Sequence, residues 1–128
     1  MGQIRLYRKI YSVSVLPNLT GNSQTYTLFN PYSLSASTFL AGSGDTESNT
    51  IVEYNTPITQ ESTGIYYTDL NPILYATDIT YDLVWYIQYT QISPTKKLTT
   101  RFRLNNQTGP SGEISIEIIS NTLEIEIL

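Results

Sequence analysis

Cysteine and histidine are both missing from the 128 residues. Their absence removes disulfides, thiolate nucleophiles, the usual zinc ligand sets and histidine-based triads. It also argues against a small secreted domain, which commonly leans on disulfides. Charge is scarce, at 14% of residues, where typical soluble domains carry roughly 25%. The net charge of −4 disfavours nucleic acid as the main partner. No apolar run approaches the roughly 20 residues that a membrane-spanning helix needs. No cationic segment leading into an apolar one marks a signal peptide, so Met1 reads as a native, unprocessed start. No residue set predicts a cofactor, a metal or a catalytic centre.

What fills the chain is the material of strands and turns. Ser, Thr and Asn replace the missing charge, and there are eleven Tyr. β-Branched and aromatic side chains suit pleated surfaces, and Ser, Asn and Gly suit the turns between them. Hydrophobic content of 40% is enough for a core, and the length suits one domain.

Residues 4–15 predict a long first strand with a change of phase. Ile4, Leu6 and Ile10 share one face, whereas Tyr11, Val13 and Val15 fall on odd numbers. A bulge or a strand that switches sheets produces such a shift. Further strands are expected at 24–29, 50–55, 58–61 and 64–70, with residues 33–40 ambiguous. The clearest is 79–89, where Ile79, Tyr81, Leu83, Trp85, Ile87 and Tyr89 alternate without a break. Val84 and Tyr86 imply partial cover of its other face. Residues 97–104 predict a half-buried strand that forms a hairpin with it, with Leu98, Thr100, Phe102 and Leu104 inward and Lys97, Thr99, Arg101 and Arg103 outward.

Beyond Asn105 the composition changes. Residues 106–112 read as a linker. Two short alternating strands around Ser120-Asn121 follow, one with Ile114, Ile116 and Ile118, the other with Leu123, Ile125 and Ile127. The expected organisation is a core domain over residues 1–106 and a C-terminal β-hairpin arm over 107–128. Strands this short, with turn signals every 8–12 residues, point to an all-β fold of the immunoglobulin-like sandwich type.

Several motifs have a plain reading beside a sharper one. Tyr81 enters the strongest strand behind Asp78-Ile79-Thr80; it is either a core residue or a corner tyrosine that bonds back to upstream backbone. Trp85 reads as core bulk, with a ligand platform as the rival. Gly42 to Glu47 offers carboxylates and carbonyls to calcium but lacks the spacing of a calcium loop, so a solvated loop is expected. Asp78 and Asp82 share a strand face about 13 Å apart at roughly 3.3 Å per residue, too far for glycosidase carboxylates. Asn18-Leu19-Thr20 and Asn106-Gln107-Thr108 match the glycosylation sequon and read as chance matches without a secretory signal.

Charge is segregated. Arg5, Arg8 and Lys9 lie on the first strand. Residues 91–107 hold Lys96, Lys97, Arg101 and Arg103 and no acid, while residues 108–128 hold Glu113, Glu117, Glu124 and Glu126 and no base. Two separately solvated faces are the plain interpretation. The sharper one sets the acidic arm beside a basic strand, in this chain or a neighbour. Opposite charges across strands contribute only about 0.2–1 kcal/mol each, so they select register and partner more than stability. The candidate protein-interaction residues are therefore Arg5, Arg8, Lys9, Lys97, Arg101, Arg103, Ile114, Ile116, Ile118, Leu123, Ile125 and Ile127.

The run Gly64-Ile65-Tyr66-Tyr67-Thr68-Asp69-Leu70, then Tyr81-Asp82-Leu83-Val84-Trp85, then Thr99-Thr100-Arg101-Phe102-Arg103-Leu104, resembles the end of immunoglobulin-like domains in structural proteins of tailed bacteriophages. The resemblance spans residues 64–104, a third of the chain, and residues 1–63 do not share it. It implies a non-catalytic virion protein, made in the host cytoplasm and present in several copies. Such a protein binds other virion proteins as a capsid decoration, neck or tail subunit. It implies neither nucleic-acid nor membrane binding. A carbohydrate- or receptor-binding module using exposed Tyr residues is the alternative.

Overall fold

The computed structural model describes residues 4–18, 21–42, 47–106, 114–122 and 126–127. The chain is all-β. Eleven strands occur in the order β1 (Ile4–Lys9), β2 (Tyr11–Asn18), β3 (Gly21–Leu28), β4 (Ser33–Ala41), β5 (Glu47–Glu53), β6 (Ile58–Ser62), β7 (Ile65–Leu70), β8 (Thr80–Gln88), β9 (Lys96–Asn106), β10 (Ile114–Asn121) and β11 (Glu126–Ile127). One short 3-10 turn, Pro72–Leu74, sits between β7 and β8. The ambiguous segment 33–40 is thus a strand.

The strands form three sheets. A three-stranded sheet has the order β1-β7-β6, and a five-stranded sheet the order β10-β9-β8-β4-β5. A single core joins these two: Ile4, Leu6, Tyr66 and Leu70 from the first, with Ile10 just beyond β1, meet Tyr81, Leu83, Trp85, Leu98, Phe102 and Leu104 from the second. The third sheet, β11-β2-β3, is built on a long ribbon.

The phase change in the first segment is a switch of sheet. β1 pairs antiparallel with β7, and β2 pairs antiparallel with β3. Ile10 lies at the crossing, where its N–H donates to the Gly64 carbonyl at 2.8 Å and its carbonyl accepts from the Phe29 N–H at 2.9 Å. Gly64 adopts φ +70°, and a Cβ there would stand 2.6 Å from the Phe29 nitrogen. Only glycine meets both demands, the left-handed backbone and the close approach.

β8 is the centre of the five-stranded sheet, and the alternation places Trp85 in the core with no exposed surface. The expected β8–β9 hairpin is present, with Trp85 opposite Leu98 and Tyr81 opposite Phe102. Ile79 departs from the pattern. Asp78 takes the left-handed φ of 64°, the chain turns before β8 begins, and Ile79 is 42% exposed. Tyr81 is both core and corner: its hydroxyl accepts the Ala76 N–H, five residues upstream, at 2.8 Å. The other face of β8 is covered as well, since Asp82 and Val84 are buried and Tyr86 is half-buried.

The expected C-terminal hairpin falls partly on residues 123–125, which lie outside the described residues. Among the described residues, β10 pairs antiparallel with β9, and β11 pairs parallel with β2 over Glu126–Ser12 and Ile127–Val13. β10 covers the edge of β9. Pairing there satisfies its backbone groups and sets Ile116 against the core, whereas an isolated hairpin satisfies only itself.

Candidate interaction surface

Arg8 shares a strand face with Ile4, Leu6 and Ile10, and that face points inward, so Arg8 is 2% exposed. Its Nη1 donates to the Thr122 carbonyl at 2.8 Å. Its Nη2 donates to Thr100 Oγ1 at 3.0 Å and to Asn121 Oδ1 at 2.7 Å. The guanidinium carbon lies 5.7 Å from the Trp85 ring centre, within cation–π range. Among the described residues Nε has no hydrogen-bond partner. Among the described residues no carboxylate faces this cation, and burial pushes it down to about 10, so it remains charged at neutral pH. Arg8 therefore ties β1 to the end of β10.

The other first-strand cations face outward. Arg5 meets the Asp69 carboxylate twice, at 2.7 and 3.1 Å, and its guanidinium lies 3.9 Å from the Tyr67 ring centre. Lys9 is exposed on the same face. Tyr7 lies opposite Tyr67, with ring centres 5.5 Å apart.

The basic outer face of β9 is engaged within the chain. Arg101 makes a two-point contact with buried Asp82 at 2.8 and 3.1 Å. Asp82 thus serves a structural pair, and Asp78 lies apart from it at the turn. Arg103 reaches Glu117 at 3.4 Å, and Asn105 donates to the same Glu117 oxygen at 2.8 Å. The Asn105 hydrogen bond first, and the Arg103 charge second, hold the Glu117 carboxyl below its ordinary value. Lys97 is exposed, with its ammonium 5.7 Å from the Tyr86 ring centre. Of the four acids of the C-terminal segment, Glu117 thus lies beside the basic strand of its own chain.

Of the apolar candidates, Ile116 packs against the core and Ile118 is 49% exposed. The side chains of Ile114, Leu123, Ile125 and Ile127 lie outside the described residues, as do residues 43–46 of the Gly42–Glu47 loop. β1 and β10, each at the edge of its sheet, flank a groove of about 280 Å³ lined by Arg5, Leu6, Tyr7, Thr100, Ile116 and Ile118. Asn121 and Arg8 tie the two strands together beside it.

The ribbon β2–β3 was not among the sequence candidates. It has eight register pairs, from Tyr11–Leu28 to Asn18–Gly21. On β3, Thr25, Tyr26 and Thr27 alternate between faces and are all exposed. A signal was present in the sequence. No charged residue occurs from Ile10 to Gly44, although edge strands ordinarily carry charge to prevent pairing.

No family model, curated protein or solved structure matches the chain.

Proposed function

We propose that the protein is a non-catalytic structural subunit of a tailed-phage virion, with an immunoglobulin-like fold, that binds other virion proteins through its open strand edges. The observation that carries the assembly reading is the β2–β3 ribbon, which has no charged residue and is exposed at Thr25 and Thr27. The described charged pairs, Arg5–Asp69, Arg101–Asp82 and Arg103–Glu117, all join neighbouring strands. They hold the sheets rather than line a cleft.

Strand order supports the immunoglobulin-like reading. Immunoglobulin domains set strands B, E and D in one sheet and G, F, C and C′ in the other. Lettering β1 as B and β4 to β9 as C, C′, D, E, F and G reproduces both orders, with β10 added beyond G. Tyr81 then stands near the start of strand F and bonds back to Ala76 in the E–F connection, as a tyrosine corner does. Two features depart from antibody domains: Trp85 lies on the F position rather than C, and there is no cysteine pair. The virion assignment rests on the resemblance across residues 64–104.

Quantitative mass spectrometry of purified particles from the source tests the proposal. Hundreds of copies per particle indicate a shell role, and a count near six or twelve a neck or tail role. Absence from the particles refutes it. A second reading, carbohydrate binding, is favoured by the Tyr7–Tyr67 pair beside Arg5 on the outer face of the smaller sheet. Glycan-array binding abolished by Tyr7→Ala supports that reading instead.

A further inference from the structure

We propose that the outer edge of β1 receives an extended acidic segment of a partner protein, which adds to the sheet as a strand and sets a carboxylate beside Arg8 and Lys9. This inference rests on the assembly reading above and names one edge and the chemistry of its partner.

Two cavities lie along this edge. One, of about 280 Å³, touches Arg5, Leu6 and Tyr7. The other, of about 460 Å³, touches Tyr7, Arg8 and Lys9. Successive residues of a strand point to opposite faces, so a cavity that touches three in a row lies at the strand's edge rather than over one face. Tyr7 and Asn121 line both cavities, which makes them neighbours along one stretch. From Arg5 to Lys9 that stretch runs about 13 Å at roughly 3.3 Å per residue, the length of a short strand. β1 ends the order β1-β7-β6, and its only strand partner among the described residues is β7. In the immunoglobulin lettering, strand A lies beside B in the A-B-E-D sheet. Among the described residues no strand fills that place beside β1.

The walls select the occupant. Arg5, Arg8 and Lys9 line the cavities, and no acid does. Arg5 already meets Asp69, whereas among the described residues neither Arg8 nor Lys9 forms an ion pair. A buried cation without a countercharge is costly, so a carboxylate arriving beside Arg8 is favoured. Leu6, Ile116 and Ile118 give the first cavity an apolar wall. A polyanion such as nucleic acid leaves that wall unused, and an uncharged strand leaves the cations unused. Leu6 and Arg8 share the inner face of β1, two residues apart. A matching segment therefore carries an apolar side chain and an acid at the same spacing, while its main chain pairs with the edge.

The probe is the blocked peptide acetyl-Thr-Val-Thr-Glu-Thr-amide, titrated into the isotope-labelled full chain and followed by NMR. The amide resonances of residues 4–9 are expected to shift saturably. Hydrogen bonds to charged groups contribute enough for about a tenfold change in affinity, so the analogue with Gln in place of Glu should bind about tenfold more weakly. Lys9→Glu, at an exposed position, should weaken the Glu peptide at least as much while leaving the circular dichroism spectrum unchanged. Shifts confined to other strands, equal binding of the two peptides, or undiminished binding by the Lys9 variant overturns the inference. Acetate that reproduces the shifts shows an adventitious ion only and overturns it. A peptide-free dimer that protects the β1 amides gives the edge to a second copy and overturns it too. The assembly reading is decided separately, by particle composition.

Discussion

Arg8 Nη2 lies 2.7 Å from Asn121 Oδ1, across 113 residues of sequence. The same guanidinium holds Thr100, and Thr100 Oγ1 in turn donates to the Asn121 oxygen at 2.9 Å and accepts from the Trp85 indole at 3.3 Å. A cation buried among neutral acceptors is stable only while every such contact is kept. The end of β10 is therefore coupled to the core tryptophan.

Replacing Arg8 with Met keeps the apolar stem and removes the donors. Hydrogen bonds from charged groups contribute about 1.5–3 kcal/mol each, offset here by relief of the buried charge. The expected net loss is about 1–3 kcal/mol, concentrated at the C-terminal strand. Amide hydrogen exchange should accelerate over residues 114–122 more than over β8. Uniform acceleration across both would show that Arg8 does not act as a local tie.

Asp82 and Arg101 are the most buried ion pair described, at 1% and 16% side-chain exposure. Removing one member leaves the other uncompensated. Arg101→Met should cost about 3–5 kcal/mol. The double variant Asp82→Leu/Arg101→Met should recover most of that loss, because no charge is then stranded. Urea unfolding midpoints of the two proteins give the comparison, and equal losses would contradict it.

Alkaline pH should weaken the fold through Tyr75. Burial first, and then its hydrogen bond to Glu53, raise this phenol above its ordinary value of 10.0. The sign follows from proton counting. Above about pH 10 the unfolded chain loses this proton while the folded chain keeps it, so stability is complete below pH 10 and falls as pH rises. The slope approaches about 1.4 kcal/mol per pH unit for one such group. Tyr75→Phe removes that slope. Urea midpoints at pH 9 and pH 11 should converge less in the wild type than in the variant, and an identical drop in both would show that Tyr75 is not responsible.

Gly64→Ala should be more damaging than Gly21→Ala. Both glycines have positive φ, but a Cβ at Gly21 meets nothing within 4 Å, whereas one at Gly64 meets the Phe29 nitrogen at 2.6 Å and the Ile10 carbonyl oxygen at 2.9 Å. Backbone strain costs about 1–3 kcal/mol, and forced displacement at a packed site typically adds a similar amount. Thermal unfolding of the two variants measures the difference. Equal melting temperatures would mean that the β1–β2 crossing yields easily.

The sequence by itself determined the all-β character, the burial of Trp85, the β8–β9 hairpin and the break in phase at Ile10. Each of these is written in a two-residue period or a turn residue, which sterics impose on the chain locally. The uncharged run from Ile10 to Gly44 was equally legible, though its meaning needed the ribbon. Tertiary structure alone decided where β10 and β11 pair. Alternating Ile and Glu suit any open edge, and the nearest hairpin partner competes with every edge the fold exposes. It also decided that the Arg8 charge is held inside the fold. Strand parity put Arg8 on the inner face, but only the arrival of Thr100, Asn121 and Thr122 made a charge tolerable there. Contacts between residues so far apart leave no periodic trace in the sequence, because they depend on which strand edges meet once the sheets have closed on a shared core.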